Sequence, residues 1–263
     1  MNILLINGSP RRERGNTHAV LDAVATALED SGANTTTLYL ADENPEYCTH
    51  CGHDCFQDGR CTREDGATRR SEQIQAADAL VLGAPVYCWQ PNALTCMLFD
   101  KFRIPDGTWM ASSEPGTPAM GIAVAGGTGT GVFTALQSMY AWLCAWRFRP
   151  LEPVPVTRYN QKAVIDRAES LAASLVDGSA PVFSDTWDQM LLYDKVRYMD
   201  YRRIDEYRWL AARMLENLDK DSMEFRSMTS SLEAAHKAEV RGDLDERARK
   251  VMDAFKTGFA VRR

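Results

Sequence analysis

The sequence predicts an α/β protein with a doubly wound, five-stranded parallel sheet and a C-terminal helical extension. Two observations carry this prediction. Up to residue 179, short apolar segments alternate with segments whose apolar residues recur at helical spacing, which is typical of a parallel sheet covered on both faces. From residue 180 onward the helical spacing continues without a strand signal. We therefore expect a sheet domain over residues 1–179 and a helical extension over residues 180–263.

Composition limits the class of protein. The chain has 263 residues, a hydrophobic content of 45% and a net charge of −6, so we expect a full core and no bulk attraction to nucleic acid or membranes. No segment approaches the roughly 18 apolar residues of a membrane span. The first strand begins at residue 2, which leaves no room for a secretion signal. Seven cysteines in such a chain favour reduced thiols or a metal site, and we expect a cytoplasmic protein.

The first seventeen residues predict a phosphate-binding loop. Residues 2–6 form a short apolar run that predicts a buried strand, and residues 18–28 have helical spacing. The first N–H groups of a helix lack internal partners and lie at the positive end of its dipole, so a loop of small and hydroxyl residues there can bind phosphate. The candidate ligands are Ser9, Arg11, Asn16 and Thr17. The alternative is that the Ser and Thr only cap the helix.

The residue types in this loop favour a single terminal phosphate. Neither the glycine pattern of nucleoside triphosphate sites nor that of dinucleotide sites is present. Hydroxyl, guanidinium and amide donors at the end of a parallel sheet instead suit the phosphate of flavin mononucleotide (FMN).

The remaining elements follow in chain order. Strands are predicted over residues 35–40, 79–82, 119–125 and 148–156, and helices over residues 68–77, 132–146 and 161–175. Another helix is expected to carry Pro91 in its first turn. In the extension, residues 204–218 and 244–255 predict two amphipathic helices.

Two further loops at predicted strand ends have an unusual composition. Residues 84–91 read APVYCWQP and residues 126–131 read GGTGTG. Consecutive glycines let backbone amides approach a flat ring that is rich in heteroatoms, and Tyr87 and Trp89 offer aromatic planes. Each loop by itself is also ordinary turn material. Three such loops at strand ends, where open parallel sheets bind ligands, favour a flavin between them.

As an ordered set, NGSPRRERGNT, GAPVYCWQP and GGTGTG resemble the NADPH-dependent FMN reductase family, which has a flavodoxin-like fold, over roughly residues 1–176. The resemblance implies an FMN-dependent oxidoreductase that passes electrons from NAD(P)H to a quinone, a flavin or another small acceptor, and that forms a homodimer or homotetramer. It implies phosphate contacts from Ser9, Arg11, Asn16 and Thr17. It also implies ring contacts from Pro85, Val86, Tyr87, Cys88 and Trp89, with the far ring edge at Gly126, Gly127, Thr128 and Gly131.

Four cysteines indicate a metal site in a cysteine-rich segment, which is predicted as an insertion over residues 41–66 after the second predicted strand. Cys48, Cys51, Cys55 and Cys61 follow a C-x2-C-x3-C-x5-C spacing, and thiolates so close together can bind one metal centre. The pattern resembles that of iron-sulfur flavoproteins, which implies a [4Fe-4S] cluster that exchanges single electrons with FMN, and a ferredoxin-like partner. The middle gap is one residue longer than in that family. Zinc, with His50 or His53 replacing a cysteine, and the absence of a metal therefore remain alternatives.

The sequence has no catalytic acid-base set, since it contains neither an HExxH pattern nor a Ser/His/Asp arrangement with recognisable spacing. In a flavoenzyme the cofactor carries the chemistry, so we name no catalytic residue. A second hypothesis is a flavin or iron-sulfur electron carrier, or a redox sensor, that docks a protein partner without turnover of NAD(P)H. A third is a reductase of one metabolite whose pocket the extension covers.

Overall fold

The computed structural model describes residues 1–104, 116–178 and 180–261. The strands are β1 (Asn2–Asn7), β2 (Asn34–Tyr39), β3 (Ala79–Tyr87), β4 (Gln90–Pro91), β5 (Pro118–Ala125), β6 (Arg149–Pro150) and β7 (Val154–Thr157). The helices are α1 (Asn16–Asp30), α2 (Cys55–Asp58), α3 (Ala67–Gln75), α4 (Ala93–Lys101), α5 (Val132–Ala145), α6 (Gln161–Ile165), α7 (Ala168–Val176), α8 (Thr186–Lys195), α9 (Arg203–Leu215), α10 (Met223–Val240) and α11 (Leu244–Ala260). The predicted domain boundary at residue 179 lies outside the described residues.

The predicted parallel sheet is confirmed, with the order β2-β1-β3-β5 and a fifth position filled by β6 and β7. Both short strands pair in parallel with β5, so the single strand predicted over residues 148–156 is interrupted. Pro153 lies in the interruption and has no N–H group to donate to the ladder. The strand order reverses beside β1, which places the loops after β1 and β3 at the switch point where such sheets bind ligands.

Two details differ from the predictions. Pro91 belongs to β4, which pairs antiparallel with the end of β3, and α4 begins two residues later at Ala93. The helix predicted over residues 161–175 is divided into α6 and α7, with Asp166 and Arg167 between them.

The core lies on both faces of the sheet. The central strand β3 is buried along nearly its whole length, with Leu80 and Leu82 on one face and Val81 on the other. One face packs against α3, α4 and α5, and the other packs against α1 and α7. This two-sided burial explains why the strands are continuous apolar runs.

The extension packs on the same chain. The Tyr193 hydroxyl on α8 donates to the Phe148 carbonyl at 2.7 Å, and α9, α10 and α11 share a separate core around Leu210, Met228 and Phe255. The two predicted helices correspond to α9 and α11, whereas α8 and α10 were not predicted. The described part of the extension contains no strand, as expected. In the described ranges, no helix combines the length and the apolar character needed to cross a membrane.

Candidate functional site

A cavity of about 220 Å³ lies at the carboxyl edge of the sheet, where the loops after β1, β3 and β5 meet. Its lining residues are Ser9, Arg11, Gly15, Asn16, Thr17, Pro85, Val86, Tyr87, Val124, Ala125, Gly126 and Thr130. Parallel strands end at one edge of the sheet, and this brings together segments that are more than a hundred residues apart in the chain.

The loop after β1 is shaped by its own polar side chains. The N–H of Ser9 donates to Asn7 Oδ1 at 2.9 Å, and the N–H of Arg11 donates to Ser9 Oγ at 3.2 Å. Asn7 and Ser9 are both buried. In the described part of the chain, no side chain caps the start of α1, because Gly15 occupies the N-cap position. The first N–H groups of α1 are therefore available to an anion, which disfavours the simple capping alternative.

Two buried side chains at the start of α4 hold the loop after β1 in place. The Asn92 amide donates to the Gly8 carbonyl at 2.7 Å, and the Thr95 hydroxyl donates to Asn92 Oδ1 at 2.8 Å. Both side chains are buried. A Cβ atom on Gly8 would lie 2.2 Å from Thr95 Oγ1, so the loop approaches α4 as closely as only glycine permits.

The turn between β3 and β4 presents two aromatic side chains in different directions. Cys88 and Trp89 have φ angles of 48° and 65°, which form a tight hairpin turn at a conformational cost for a residue as bulky as tryptophan. Tyr87, 48% exposed, lines the cavity. Trp89 instead packs against Gly131, where an added Cβ would lie 2.3 Å from Trp89 Cδ1.

The glycine loop after β5 (residues 126–131) is closed by internal hydrogen bonds. The N–H of Gly129 donates to the Gly126 carbonyl at 2.8 Å, and the hydroxyls of Thr128 and Thr130 lie 2.8 Å apart. Gly127, Gly129 and Gly131 have positive φ angles, which favour glycine, and at Gly129 and Gly131 close neighbours also leave no room for a Cβ.

The four clustered cysteines all line a second cavity of about 410 Å³. His50, His53 and the basic side chains Arg63, Lys101 and Arg103 also line it. Within residues 1–104, 116–178 and 180–261, no three Cys, His, Asp or Glu side chains already stand together as metal ligands. The donor set nevertheless suits a soft metal centre, because four free thiols face one space and cations offset their negative charge.

Two of these thiols already have favourable polar contacts. The Arg103 Nε–H donates to Cys55 Sγ at 3.1 Å, and the same guanidinium lies 4.1 Å over the Phe56 ring. A hydrogen bond from the His53 backbone N–H, together with contact to the Thr62 hydroxyl, lowers the pKa of the Cys51 thiol. The contacts at Cys51 favour its thiolate, which is the form that binds metal.

Comparison with known families identifies the family of the chain. The model of the NADPH-dependent FMN reductase family matches residues 1–155. This chain belongs to that family. The chain is thus an oxidoreductase of a flavin-dependent family, and the resemblance noted from its three loops is confirmed.

Several curated relatives of this chain are iron-sulfur flavoproteins. One from Methanocaldococcus jannaschii is 31% identical, over 49% of this chain and 67% of the relative. One from Archaeoglobus fulgidus is 34% identical, over 38% of this chain and 45% of the relative. Among solved structures, an NAD(P)H:quinone oxidoreductase from Methanothermobacter marburgensis has a TM-score of 0.51 at 18% identity, covering 67% of this chain and 96% of that chain. At this identity the likeness concerns the fold.

The fold brings most of the predicted flavin ligands to one place. Those that line the cavity are Ser9, Arg11, Asn16, Thr17, Pro85, Val86, Tyr87 and Gly126. Those that lie outside its lining are Cys88, Trp89, Gly127, Thr128 and Gly131. Contact between any of these residues and FMN remains a prediction.

Sequence reasoning missed several residues of this site. Gly15, Val124, Ala125 and Thr130 line the cavity without having been predicted, although all four lie within or beside the predicted loops. Asn92 was missed for a different reason. An asparagine before a helix usually caps that helix, but here its amide reaches Gly8, 84 residues earlier in the chain.

Proposed function

We propose that this protein binds FMN in the cavity at the sheet edge and passes electrons from NAD(P)H to a quinone, a flavin or another small acceptor. The observation that carries the proposal is the convergence of three loops on one cavity lined by hydroxyl, guanidinium, amide and aromatic groups. When bound, FMN supplies the hydride and electron-transfer chemistry.

The residues of the chain would bind and orient the cofactor. The free N–H groups at the start of α1, with the Ser9 and Thr17 hydroxyls, can donate to the phosphate, and Arg11 adds a positive charge. Tyr87 exposes about half of its side chain at the cavity and offers a face for the ring. Gly126 has open space around its Cα, so backbone can approach the ring there.

Replacement of Thr17 by valine tests the phosphate assignment. Valine keeps the shape of this buried side chain and removes the hydroxyl, so we expect FMN affinity to fall about tenfold, the usual loss for a hydrogen bond to a charged group. Riboflavin lacks the phosphate, so its affinity should not change. Flavin fluorescence titration measures both. Thr26→Val, on the exposed side of α1, is the matched control. An equal loss for both flavins in Thr17→Val would contradict the assignment.

For the second cavity we propose a [4Fe-4S] cluster held by Cys48, Cys51, Cys55 and Cys61. Support comes from the four thiols on one cavity, the three cations around them and the relatives named iron-sulfur flavoproteins. A bound cluster would supply single-electron transfer. A ferredoxin-like partner belongs to this cluster proposal. A homodimer or homotetramer is proposed together with the FMN site.

Metal content distinguishes this cluster from zinc. After anaerobic purification we expect iron and acid-labile sulfide in equal amounts, and Cys51→Ser should lose most of both because a thiolate ligand is removed. Cys96→Ser, outside the cysteine cavity, should keep them. Zinc without sulfide, or full iron content in Cys51→Ser, would contradict the proposal.

One observation favours the electron-carrier alternative. Trp187, Met190 and Leu191 are 70%, 43% and 44% exposed on α8, and their spacing puts them on one side of the helix. Anaerobic addition of NADPH separates the two functions. A reductase is expected to bleach the flavin, whereas a carrier would bleach only with dithionite.

A further inference from the structure

Helix α9 of the extension supplies a cap to a helix of the sheet domain. The Phe133 N–H donates to Glu206 Oε1 at 3.0 Å, and the N–H groups of Gly131 and Val132 lie close enough to this carboxylate to lower its pKa. α5 has no side-chain cap from its own N-cap residue, which is Gly131. Glu206 therefore satisfies the free N–H groups at the positive end of α5 from 73 residues away.

The carboxylate is held in an unusual environment. Glu206 is 4% exposed, although glutamate is rarely buried without partners. Burial raises the pKa of Glu206, and the hydrogen bond from Phe133 together with the nearby N–H groups of Gly131 and Val132 opposes this increase. Removal of the side chain would leave buried donors without an acceptor, which is costly.

The same face of α9 contacts the two loops beside the cavity. Leu210 lies one turn beyond Glu206, and a Cβ on Gly129 would lie 2.8 Å from Leu210 Cδ2. Arg203 lies one turn before Glu206, and its guanidinium is 5.0 Å from the centre of the Trp89 ring. Arg203, Glu206 and Leu210 thus follow one side of the helix and meet both the β3–β4 turn and the glycine loop.

α9 is itself fixed to the rest of the molecule. Leu210 and Met214 are buried in the core shared with α10 and α11, and Arg247 of α11 pairs with Asp205. The Asn217 amide, just after α9, donates to the Tyr159 carbonyl at 2.9 Å. These contacts hold α9 in a fixed position against the sheet domain. α9 lies beyond the residues that the family model matches.

We propose that α9 is an integral part of the flavin site and that Glu206 is a positioning residue, which sets the conformation of residues 126–131 and thereby the affinity for the flavin ring. This inference rests on the proposed FMN site. Glu206 accepts the N–H of Phe133, just after the loop, whereas Gly126 and Thr130 line the cavity, so the ring would meet the backbone groups of these two residues.

Flavin titrations of Glu206 variants test the proposal. Glu206→Ala should weaken binding of FMN and riboflavin alike, by at least about tenfold, because it leaves several N–H groups unsatisfied and releases the loop at the ring. Glu206→Gln keeps a carbonyl acceptor of the same length and should recover most of the affinity. The matched controls are Glu233→Ala and Glu233→Gln, at an exposed position of α10, which should bind both flavins as the unmodified protein does.

The outcomes separate the inference from the function on which it rests. Folded Glu206→Ala with unchanged affinity for both flavins would overturn the positioning role. If Glu206→Ala does not fold, Glu206→Asp takes its place. Its shorter side chain should also weaken the binding of FMN and riboflavin. Unchanged binding of both by Glu206→Asp would overturn the positioning role. Failure of the unmodified protein to bind either flavin would overturn the FMN site and the inference together.

Discussion

Replacement of Asp65 by alanine is expected to lower the free energy of unfolding by about 3–5 kcal/mol, because it leaves the buried Lys101 ammonium without its carboxylate partner and removes one of the two carboxylates beside Arg70. Asp65 Oδ2 lies 2.5 Å from Lys101 Nζ and 3.6 Å from Arg70 Nη2. Lys101 is 4% exposed and Arg70 is 1% exposed. The carboxylate also accepts N–H groups from Glu46 and Ala67. This cluster joins the cysteine-rich segment to α3 and α4.

Urea unfolding at neutral pH measures this loss. Asp42→Ala is the matched control, because Asp42 pairs with Arg12 at the surface, both side chains are about half exposed, and such pairs contribute about 0–1 kcal/mol. A loss below 1 kcal/mol for Asp65→Ala would contradict the expectation. If Asp65→Ala is destabilised as expected, it should also lose the proposed cysteine-bound metal more readily, because residues 46–65 would be less firmly held.

The contribution of Asp65 should depend on pH in a defined direction. Burial would raise the pKa of Asp65, but the hydrogen bonds from Lys101 and from backbone N–H groups lower it below its usual value. A lowered folded-state pKa contributes stability above the unfolded value of about 3.9, and this stability is lost as the pH falls through the folded value. The stability difference between the unmodified protein and Asp65→Ala should therefore be constant near neutral pH and shrink below about pH 4.

Replacement of Gly8 by alanine should impair both the phosphate loop and stability. The added Cβ would lie 2.2 Å from Thr95 Oγ1 and 3.3 Å from both Asn92 Oδ1 and the Gly83 carbonyl. Because these neighbours are buried, the loop must shift, and overpacking of this kind costs about 1–3 kcal/mol. We expect FMN affinity to fall by at least about tenfold, since a displacement of the loop moves its donors away from the phosphate.

The double variant Gly8→Ala with Thr95→Ala isolates the steric cause. Removal of the Thr95 hydroxyl makes room for the new Cβ, so the two substitutions should be strongly non-additive and FMN binding should recover in part. Urea unfolding and flavin titration are measured on both single variants and on the pair. Additive losses would show that the clash with Thr95 is not the cause, and normal FMN binding by Gly8→Ala would contradict the importance of the loop.

Most of the sheet and most of the candidate flavin site were predictable because their signals are local. The strand at residues 2–6 and the helix after it are both visible within the first 28 residues, and a parallel sheet brings successive strand ends to one edge. Sequence alone therefore places Ser9, Thr17, Tyr87 and Gly126 together. Trp89 was placed with them on residue type, but its ring turns toward Gly131 and away from the cavity lining.

The missed helices also have a physical explanation. α10 buries Ala235 and Ala238 beside a single large residue, Met228, so its apolar side is weak in sequence. α8 buries Gln189 and Tyr193 against α5 and exposes Trp187, which reverses the pattern expected of an amphipathic helix.

By itself, the sequence determined the class of fold, the loops that end the strands and the clustering of the four cysteines, since each depends on residues that are neighbours in the chain. Only the tertiary structure decided what supports the site. The Asn92 amide on Gly8 and the Glu206 carboxylate on α5 join residues 84 and 73 positions apart. The reason is physical: an N–H or carbonyl group left free by a loop must find a partner in space, and spacing along the chain does not reveal which distant side chain supplies it.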